Sequence, residues 1–307
     1  MKIFSKITNL RDEYPKIALA LGMFDGMHLG HQSIVNRAIE LSKEIGGYSA
    51  ALTFQNHPLS VIAKERMPLA IGNSELRAEI LKDMGVDVLI DIPFTKSFSR
   101  LSPKVFLLLL KENLAPHYVV VGKNYTFGEG GKGTGKMLLR EGEHFGFKAE
   151  VCPTVLDAGK PISSTRIRAL IKEGAIHEVT EFLGRPFSFV GRVVHGERRG
   201  RELGFPTANL KIEEYRAMFP NGVYAAKVRY NGKTYNGLVN VGDNPTFGGE
   251  KRRLEVHIED FSKNIYNELI EVIFLEKLRD EKKFDSVNDL IAAIKQDRDT
   301  ARKYLDS

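Results

Sequence analysis

The chain is 307 residues long, 42% hydrophobic and 27% charged, with a formal net charge of +6. That length suits two domains, and the composition is that of an ordinary globular protein rather than a disordered or fibrous one. A single cysteine, Cys152, excludes an intrachain disulfide and any multi-cysteine zinc site, and it implies a reducing, cytoplasmic setting. The strongest apolar run, residues 105–110, is far too short to span a bilayer, and residues 1–12 do not read as an export signal. The basic balance fits nucleotides and nucleic acid alike.

The first element to declare itself is Ile17–Leu21, short, continuous and apolar in the manner of a buried parallel strand. It runs into Gly22-Met23-Phe24-Asp25-Gly26-Met27-His28-Leu29-Gly30-His31. An amphipathic run follows, with Ile34, Ala38, Leu41 and Ile45 on one helical face and a stop at Gly46-Gly47. A glycine-rich strand-to-helix turn presents backbone N–H groups at the positive end of a helix, where a phosphate can sit. His28 and His31, three apart at the helix start, point the same way and can donate to it. The four-residue pattern alone also fits a tight turn with two solvated histidines.

Tyr48–Phe54 reads as the next strand, ending in the polar turn Gln55-Asn56-His57-Pro58. Asn73-Ser74 caps a helix through Leu76, Ile80 and Met84, and residues 86–90 are a third strand. Ser102-Pro103 opens another helix. Residues 117–121 are a fourth strand that enters a second glycine-bounded loop, Gly122-Lys123-Asn124-Tyr125-Thr126-Phe127-Gly128. This alternation predicts an α/β fold with a doubly wound parallel sheet, whose ligands bind beyond the carboxyl ends of the strands. Lys132-Gly133-Thr134-Gly135-Lys136 lacks phosphate-loop spacing and reads as a solvated lysine loop. In Ile162-Ser163-Ser164-Thr165-Arg166-Ile167-Arg168 the hydroxyls can cap a helix, with Arg168 one turn in. Alone this is a common surface cap; beside His28 and His31 it becomes a second clamp on a polyphosphate.

At Gly184-Arg185-Pro186 the pattern changes to strands, which divides the chain into 1–183 and 184–307. Residues 224–230 and 233–241 flank Asn231-Gly232, a two-residue hairpin signal. Leu254, Val256 and Ile258 alternate with Glu255, His257 and Glu259, and residues 270–275 form a further strand. A long amphipathic helix begins at Val287, capped by Asp285 or Ser286. These elements predict a small antiparallel β-barrel with a C-terminal helix. Residues 196–209 are basic and glycine-punctuated. Backbone amides at Gly196 and Gly204, together with Arg201, can meet a triphosphate there, while Thr207 and Asn209 offer hard oxygens to magnesium. Residues 240–248 are a polar turn at the same rim. Arg198, Arg199, Arg201, Arg252 and Arg253, near Phe205 and Phe247, also leave an RNA-binding reading open.

The pattern Gly22-x-Phe24-Asp25-Gly26-x-His28-x-Gly30-His31, followed by Ile162-Ser163-Ser164-Thr165-x-Ile167-Arg168, resembles the nucleotidylyltransferase superfamily. With the 122–128 loop it is similar to the adenylyltransferase module of the prokaryotic bifunctional riboflavin kinase/FAD synthetase family; Met23 departs from the small or polar residue frequent there. Gly204-Phe205-Pro206-Thr207-Ala208-Asn209, Asn240-x-Gly242-x-Asn244-Pro245-Thr246-Phe247, Glu255-x-His257, Asp260-Phe261 and Arg279-Asp280-Glu281-x-Lys283-Phe284 resemble the riboflavin kinase module.

The resemblance implies phosphorylation of riboflavin by ATP to FMN in the C-terminal domain, then adenylylation of FMN by ATP to FAD and pyrophosphate in the N-terminal one. It implies Glu255 as the kinase base, with Glu259 and Asp260 as competing carboxylates, and His28, His31 and Arg168 as the groups that serve adenylyl transfer. ATP and its phosphates fall to Gly22, Phe24, Asp25, Gly26, Gly30, Asn124, Ser163, Ser164 and Thr165 at the first site, and to Gly196, Arg201 and Gly204 at the second. Phe54, Tyr125 and Phe127, and Arg279 in the second domain, are the flavin candidates; Thr207 and Asn209 are the magnesium candidates. No nucleic acid or membrane partner is implied. Two other readings stand beside it, a monofunctional nucleotidylyltransferase acting on another phosphate and a basic-barrel RNA-binding protein.

Overall fold

In the computed structural model, which describes residues 1–196, 204–244 and 251–305, short apolar runs become six parallel strands in the first half of the chain. These are β1 (Lys2–Phe4), β2 (Ile17–Leu21), β3 (Tyr48–Phe54), β4 (Val88–Ile92), β5 (Tyr118–Gly122) and β6 (Lys148–Cys152). They join in the order β1-β4-β3-β2-β5-β6, and each pairing is parallel. The chain steps from β2 out to β3 and β4, then returns to the other side of β2 for β5 and β6. The order therefore reverses between β2 and β5, the place where such sheets open a crevice at their carboxyl ends.

Alternate strand residues are buried on opposite faces of the sheet. Ala18, Ala20, Ala51, Leu89 and Val120 pack under α1 (Leu29–Glu44) and α2 (Ser74–Asp83). Leu19, Leu21, Leu52, Ile90, Val119 and Val121 pack under α3 (Pro103–Asn113) and α4 (Gly135–Glu141). The expected caps are present: Asn73 accepts from the Leu76 amide at 3.0 Å and Ser102 from the Val105 amide at 3.3 Å. Lys132 to Lys136 corrects the loop expectation. Gly133–Thr134 pairs with Thr126–Phe127, and Thr134 Oγ1 caps α4 by accepting from the Met137 amide at 3.3 Å.

The chain divides into two compact units, residues 1–68 with 73–164, and residues 69–72 with 165–307. Most of α5 (Ser164–Glu173) belongs to the second, with α6 (Ile176–Leu183). Its barrel comprises β7 (Ser188–Val194), β8 (Thr207–Lys211), β9 (Gly222–Tyr230), β10 (Lys233–Asn244), β11 (Lys251–Ile258) and β12 (Leu269–Arg279), closed in the order β7-β8-β11-β10-β9-β12. Asn231 and Gly232, with φ of 47° and 73°, turn the β9-β10 hairpin as its sequence requires. The final helix, α7 (Val287–Leu305), lays Ala301 and Leu305 on Ala225 of β9 and Leu238 of β10. The 69–72 segment is held by Ala70, whose N–H donates to Tyr215 O at 2.6 Å and whose carbonyl accepts from the Ala217 amide at 2.9 Å.

One buried ion pair ties α2 to the carboxyl end of the sheet. Arg77 Nη2 lies 2.9 Å from Asp91 Oδ1, both side chains being under a tenth exposed, and also donates to Phe54 O and Ser74 Oγ at 3.0 Å. Removing one member of such a pair strands the other charge, at a cost of about 3–5 kcal/mol. Arg77→Met is therefore expected to lower the unfolding free energy obtained from urea denaturation by that amount; an unchanged free energy contradicts a stabilising role for the pair.

Candidate functional site

The turn between β2 and α1 is strained. Phe24, Gly26 and Met27 have φ of 50°, 77° and 46°. For the two non-glycine residues this costs on the order of 1–3 kcal/mol each, tolerable only where packing dictates it. Phe24 and Met27 are both wholly buried. Gly22 is required beneath Phe24, because a Cβ there would stand 2.6 Å from a ring carbon. From β3, Thr53 Oγ1 donates to Met23 O at 3.0 Å and steadies the turn.

This scaffold sets two imidazoles face to face. The His28 and His31 rings stack at 3.7 Å with 20° between planes, and the Phe24 ring meets His31 edge-on at 5.6 Å. His28 is 5% exposed. A Cβ on Gly30 would lie 3.1 Å from its ring, so glycine at that position lets the imidazole lie against the helix. His28 is also the residue that begins α1, and its side chain makes no cap hydrogen bond. The helix-start amides and the two rings therefore occupy one end of the helix, a site for an anion. Ser164 Oγ donates to the carbonyl of buried Asp25 at 3.3 Å, bringing the serine pair to the same turn. The structure thus gathers Gly22, Phe24, Asp25, Gly26, His28, Gly30, His31, Ser163 and Ser164. Thr165 and Arg168 belong to the second unit, where Arg168 Nε donates to Leu69 O at 2.5 Å. Asn124 is exposed just past β5, on the other side of the switch point.

The flavin candidates of this unit belong to a longer aromatic run. Ring centroids are 5.0 Å apart for Phe54 and Phe94, 5.4 Å for Phe54 and Phe98, 6.1 Å for Phe98 and Phe106, 5.4 Å for Phe106 and Phe127, and 5.9 Å for Phe127 and Tyr125. Phe127 is a core ring, 6% exposed and pressed against Gly133. Burial pushes the Tyr125 phenol up. Phe94 and Phe98 escaped the sequence reading; their spacing of four just past a strand end was the available signal. Also unforeseen is a cavity of about 430 Å³ between α1 and β6, lined by Ser33, Asn36, Arg37, Glu150, Cys152 and Val155 among others. Arg37 braces one wall by donating to both Glu150 oxygens at 2.7 and 3.0 Å, and Ser33 Oγ donates to Gly30 O at 3.0 Å, one turn from the histidines.

In the barrel, strand register assembles the second set. Val194, Asn209, Glu255, Asn240, Val223 and Arg279 are successive direct partners across β7, β8, β11, β10, β9 and β12. Directly opposed residues of antiparallel strands project from the same face with Cβ atoms about 4.5–5.5 Å apart. Asn209 is 6% exposed. Gly196 approaches it so closely that a Cβ would stand 2.3 Å from Asn209 Nδ2. Thr207 shares the face of Asn209 and pairs with His257, whose Nδ1 is 3.0 Å from Pro206 O. The expectation of a loop through residue 209 is corrected, since Thr207–Lys211 is a strand. Gly204, with φ of 81°, occupies the left-handed region that favours glycine.

Among the described residues no cluster of three or more His, Cys, Asp or Glu could hold a metal. A buried amide oxygen and a neighbouring hydroxyl suit a hard cation that keeps most of its ligands from water and phosphate. Arg279 serves the architecture: Nε and Nη2 fork onto Asp297 of α7 at 2.8–3.1 Å, and Nη1 donates to Asp280 O at 3.1 Å. Of the competing carboxylates, Asp260 lies past the end of β11 with φ of 53°. Arg198, Arg199, Arg201 and Phe247 lie outside the described residues.

Residues 10–166 match the family model described as FAD synthetase, and residues 183–305 match that described as riboflavin kinase. Relatives named bifunctional riboflavin kinase/FMN adenylyltransferase include a Listeria monocytogenes protein, 38% identical over 299 residues, covering 96% of this chain and 95% of that one. The Escherichia coli K12 protein of that name is 32% identical over 309 residues, covering 99% and 98%. A solved Streptococcus pneumoniae structure, described as a macrolide-efflux protein, superposes with a TM-score of 0.82 at 33% identity, covering 98% of this chain and 99% of that one. Among the described residues, no helix of this chain is long and apolar enough to cross a membrane.

The tight fit of Gly22 under Phe24 generates a test. Gly22→Ala is expected to destabilise the protein by about 1–3 kcal/mol, the usual cost of overpacking, in urea denaturation; wild-type stability contradicts the packing described for the turn.

Proposed function

The chain belongs to the bifunctional riboflavin kinase/FMN adenylyltransferase family, and from that membership we propose two active sites that act in succession on one flavin. Residues 184–307 phosphorylate riboflavin to FMN with ATP; residues 1–183 adenylylate FMN with a second ATP, giving FAD and pyrophosphate. The observation that carries this reading is the presence in one chain of a stacked imidazole pair at a helix start and a carboxylate-carboxamide row on a barrel. A monofunctional transferase has no use for the second, and an RNA-binding barrel has no use for the first. The single cysteine suits the reducing cytoplasm, where we place the enzyme.

At the kinase site Glu255 accepts the proton of the ribityl 5'-hydroxyl as its oxygen attacks the γ-phosphorus of ATP and ADP departs. Thr207 and Asn209 are the residues to hold magnesium, supported by the low exposure of Asn209 and the glycine pressed against its carboxamide. When bound, the metal supplies charge neutralisation across the phosphate oxygens. Gly196 and Gly204 let backbone amides approach the phosphates, which Arg201 also meets. Arg279, fixed to Asp297, sets the flavin end of the row.

At the adenylyl site a phosphate oxygen of FMN attacks the α-phosphorus of ATP, and the bond to the β-phosphate oxygen breaks to release pyrophosphate. The nucleophile is already anionic and needs no base. What limits the step is bringing two anions together and stabilising charge on the phosphorus and the leaving group. His28, His31 and the first amides of α1 supply this, with Ser163 and Ser164 at the same turn. Gly22, Phe24, Asp25, Gly26 and Gly30 shape the turn, and Asn124 lines the opposite loop. The adenine enters the cavity beside Ser33 and Val155, and Phe54 and Tyr125 offer faces to the isoalloxazine, backed by Phe127.

His31→Ala is expected to lower conversion of FMN to FAD by on the order of 10²-fold or more, the cost of losing a transition-state donor, while riboflavin is still phosphorylated. A normal rate of FAD formation overturns the assignment. Glu255→Ala is expected to abolish FMN formation and to leave FMN adenylylation intact; phosphorylation at the wild-type rate contradicts Glu255 as the base.

A further inference from the structure

We propose that Asn240 binds the ribityl chain of the acceptor, holding the 4'-hydroxyl while Glu255 acts on the 5'-hydroxyl. The inference rests on the kinase reading above. Asn240 is the direct partner of Glu255 on β10, as Asn209 is on β8, so the carboxylate stands between two carboxamides on one face of the barrel. The two sides differ. Asn209 is pressed by Gly196, which the kinase reading assigns to phosphate. Asn240 lies on the side that runs on through Val223 to Arg279. Phosphate on one side of the base leaves the other side for the acceptor.

The surroundings of Asn240 leave its amide available. The side chain is half-buried and makes no hydrogen bond to a described residue. Two residues along the same face, a Cβ on Gly242 would lie 2.8 Å from Glu281 Oε1 and in ordinary contact with Asn240 Nδ2 at 3.4 Å, so the glycine gives room to Glu281 and leaves Asn240 uncrowded. Glu281 is engaged separately, accepting from Asn221 Nδ2 at 3.3 Å through its other oxygen. A carboxamide both donates and accepts, which matches a hydroxyl that does the same. Its Cβ stands about 5 Å from that of Glu255, so it reaches a group within a bond or two of the atom that Glu255 deprotonates. The hydroxyl next to the reacting one is that group.

The test compares wild type, Asn240→Ala and Glu255→Gln in the full chain with magnesium, using riboflavin and 4'-deoxyriboflavin. Asn240→Ala is expected to raise KM for riboflavin about tenfold, the loss of one good hydrogen bond, with KM for ATP within about twofold of wild type. 4'-Deoxyriboflavin is expected to show the same loss with wild type and no additional loss with Asn240→Ala. An unchanged KM for riboflavin, an equal rise in KM for ATP, or losses that multiply overturn the inference. Thermal melting and the rate of FMN adenylylation, both expected at wild-type values, exclude misfolding as the cause. Glu255→Gln separates the layers: wild-type phosphorylation by that variant defeats the kinase reading itself, whereas its loss with an unaltered Asn240→Ala defeats this inference alone.

Discussion

Two imidazoles stacked 3.7 Å apart at the start of a sixteen-residue helix are the arrangement on which the first unit depends. The pair lies against the core, with His28 only 5% exposed. It is held because Phe24 and Met27 are driven into the core in a backbone conformation that costs free energy, and because Gly22 and Gly30 leave room for the Phe24 and His28 rings. The parallel sheet supplies what opposes that cost. Its strands are buried on both faces, and its order reverses beside β2, so the turn projects at the crevice rather than into a packed layer.

The second unit reaches a comparable result by register instead of strain. No residue of the Asn209, Glu255 and Asn240 row needs an unusual backbone; pairing across β8, β11 and β10 aligns them. Register is robust when one face is buried, since a slip by one residue would turn Leu254 and Val256 outward. Both are fully buried. The Arg279 to Asp297 fork then fastens the far end of the row to α7, which packs on the same outer face through Ala225 and Leu238. Polar chemistry is in this way placed by apolar packing in both units.

The parts legible in the sequence were those written in local spacing. The strand-turn-helix of residues 17–44, the caps at Asn73 and Ser102 and the Asn231-Gly232 hairpin needed only neighbouring residues to be read. What escaped depended on distant partners. β1 and β6 are sheet-edge strands, the first of three residues and the second polar at Lys148 and Glu150, and neither carries an apolar run of its own. Thr207 to Lys211 looked like the end of a loop because one of its two partner strands lies over forty residues downstream. Asn240 was visible as the first residue of a motif resembling the riboflavin kinase module, but its position opposite Glu255 exists in the barrel alone. The attachment of residues 69–72 to the second unit is likewise a tertiary fact.

Two separable activities in one chain are linked by a flavin that both act on. Complementation in trans tests this separation most directly. His31→Ala and Glu255→Ala, each supplied alone with riboflavin, ATP and magnesium, are predicted to yield FMN with FAD slowed by on the order of 10²-fold, and neither flavin product, respectively. Mixed, with Glu255→Ala in excess, they are predicted to yield FAD after a lag in which FMN accumulates. FAD at the wild-type rate from either variant alone, or none from the mixture while FMN builds up in solution, would contradict the division of labour between the imidazole stack and the barrel row.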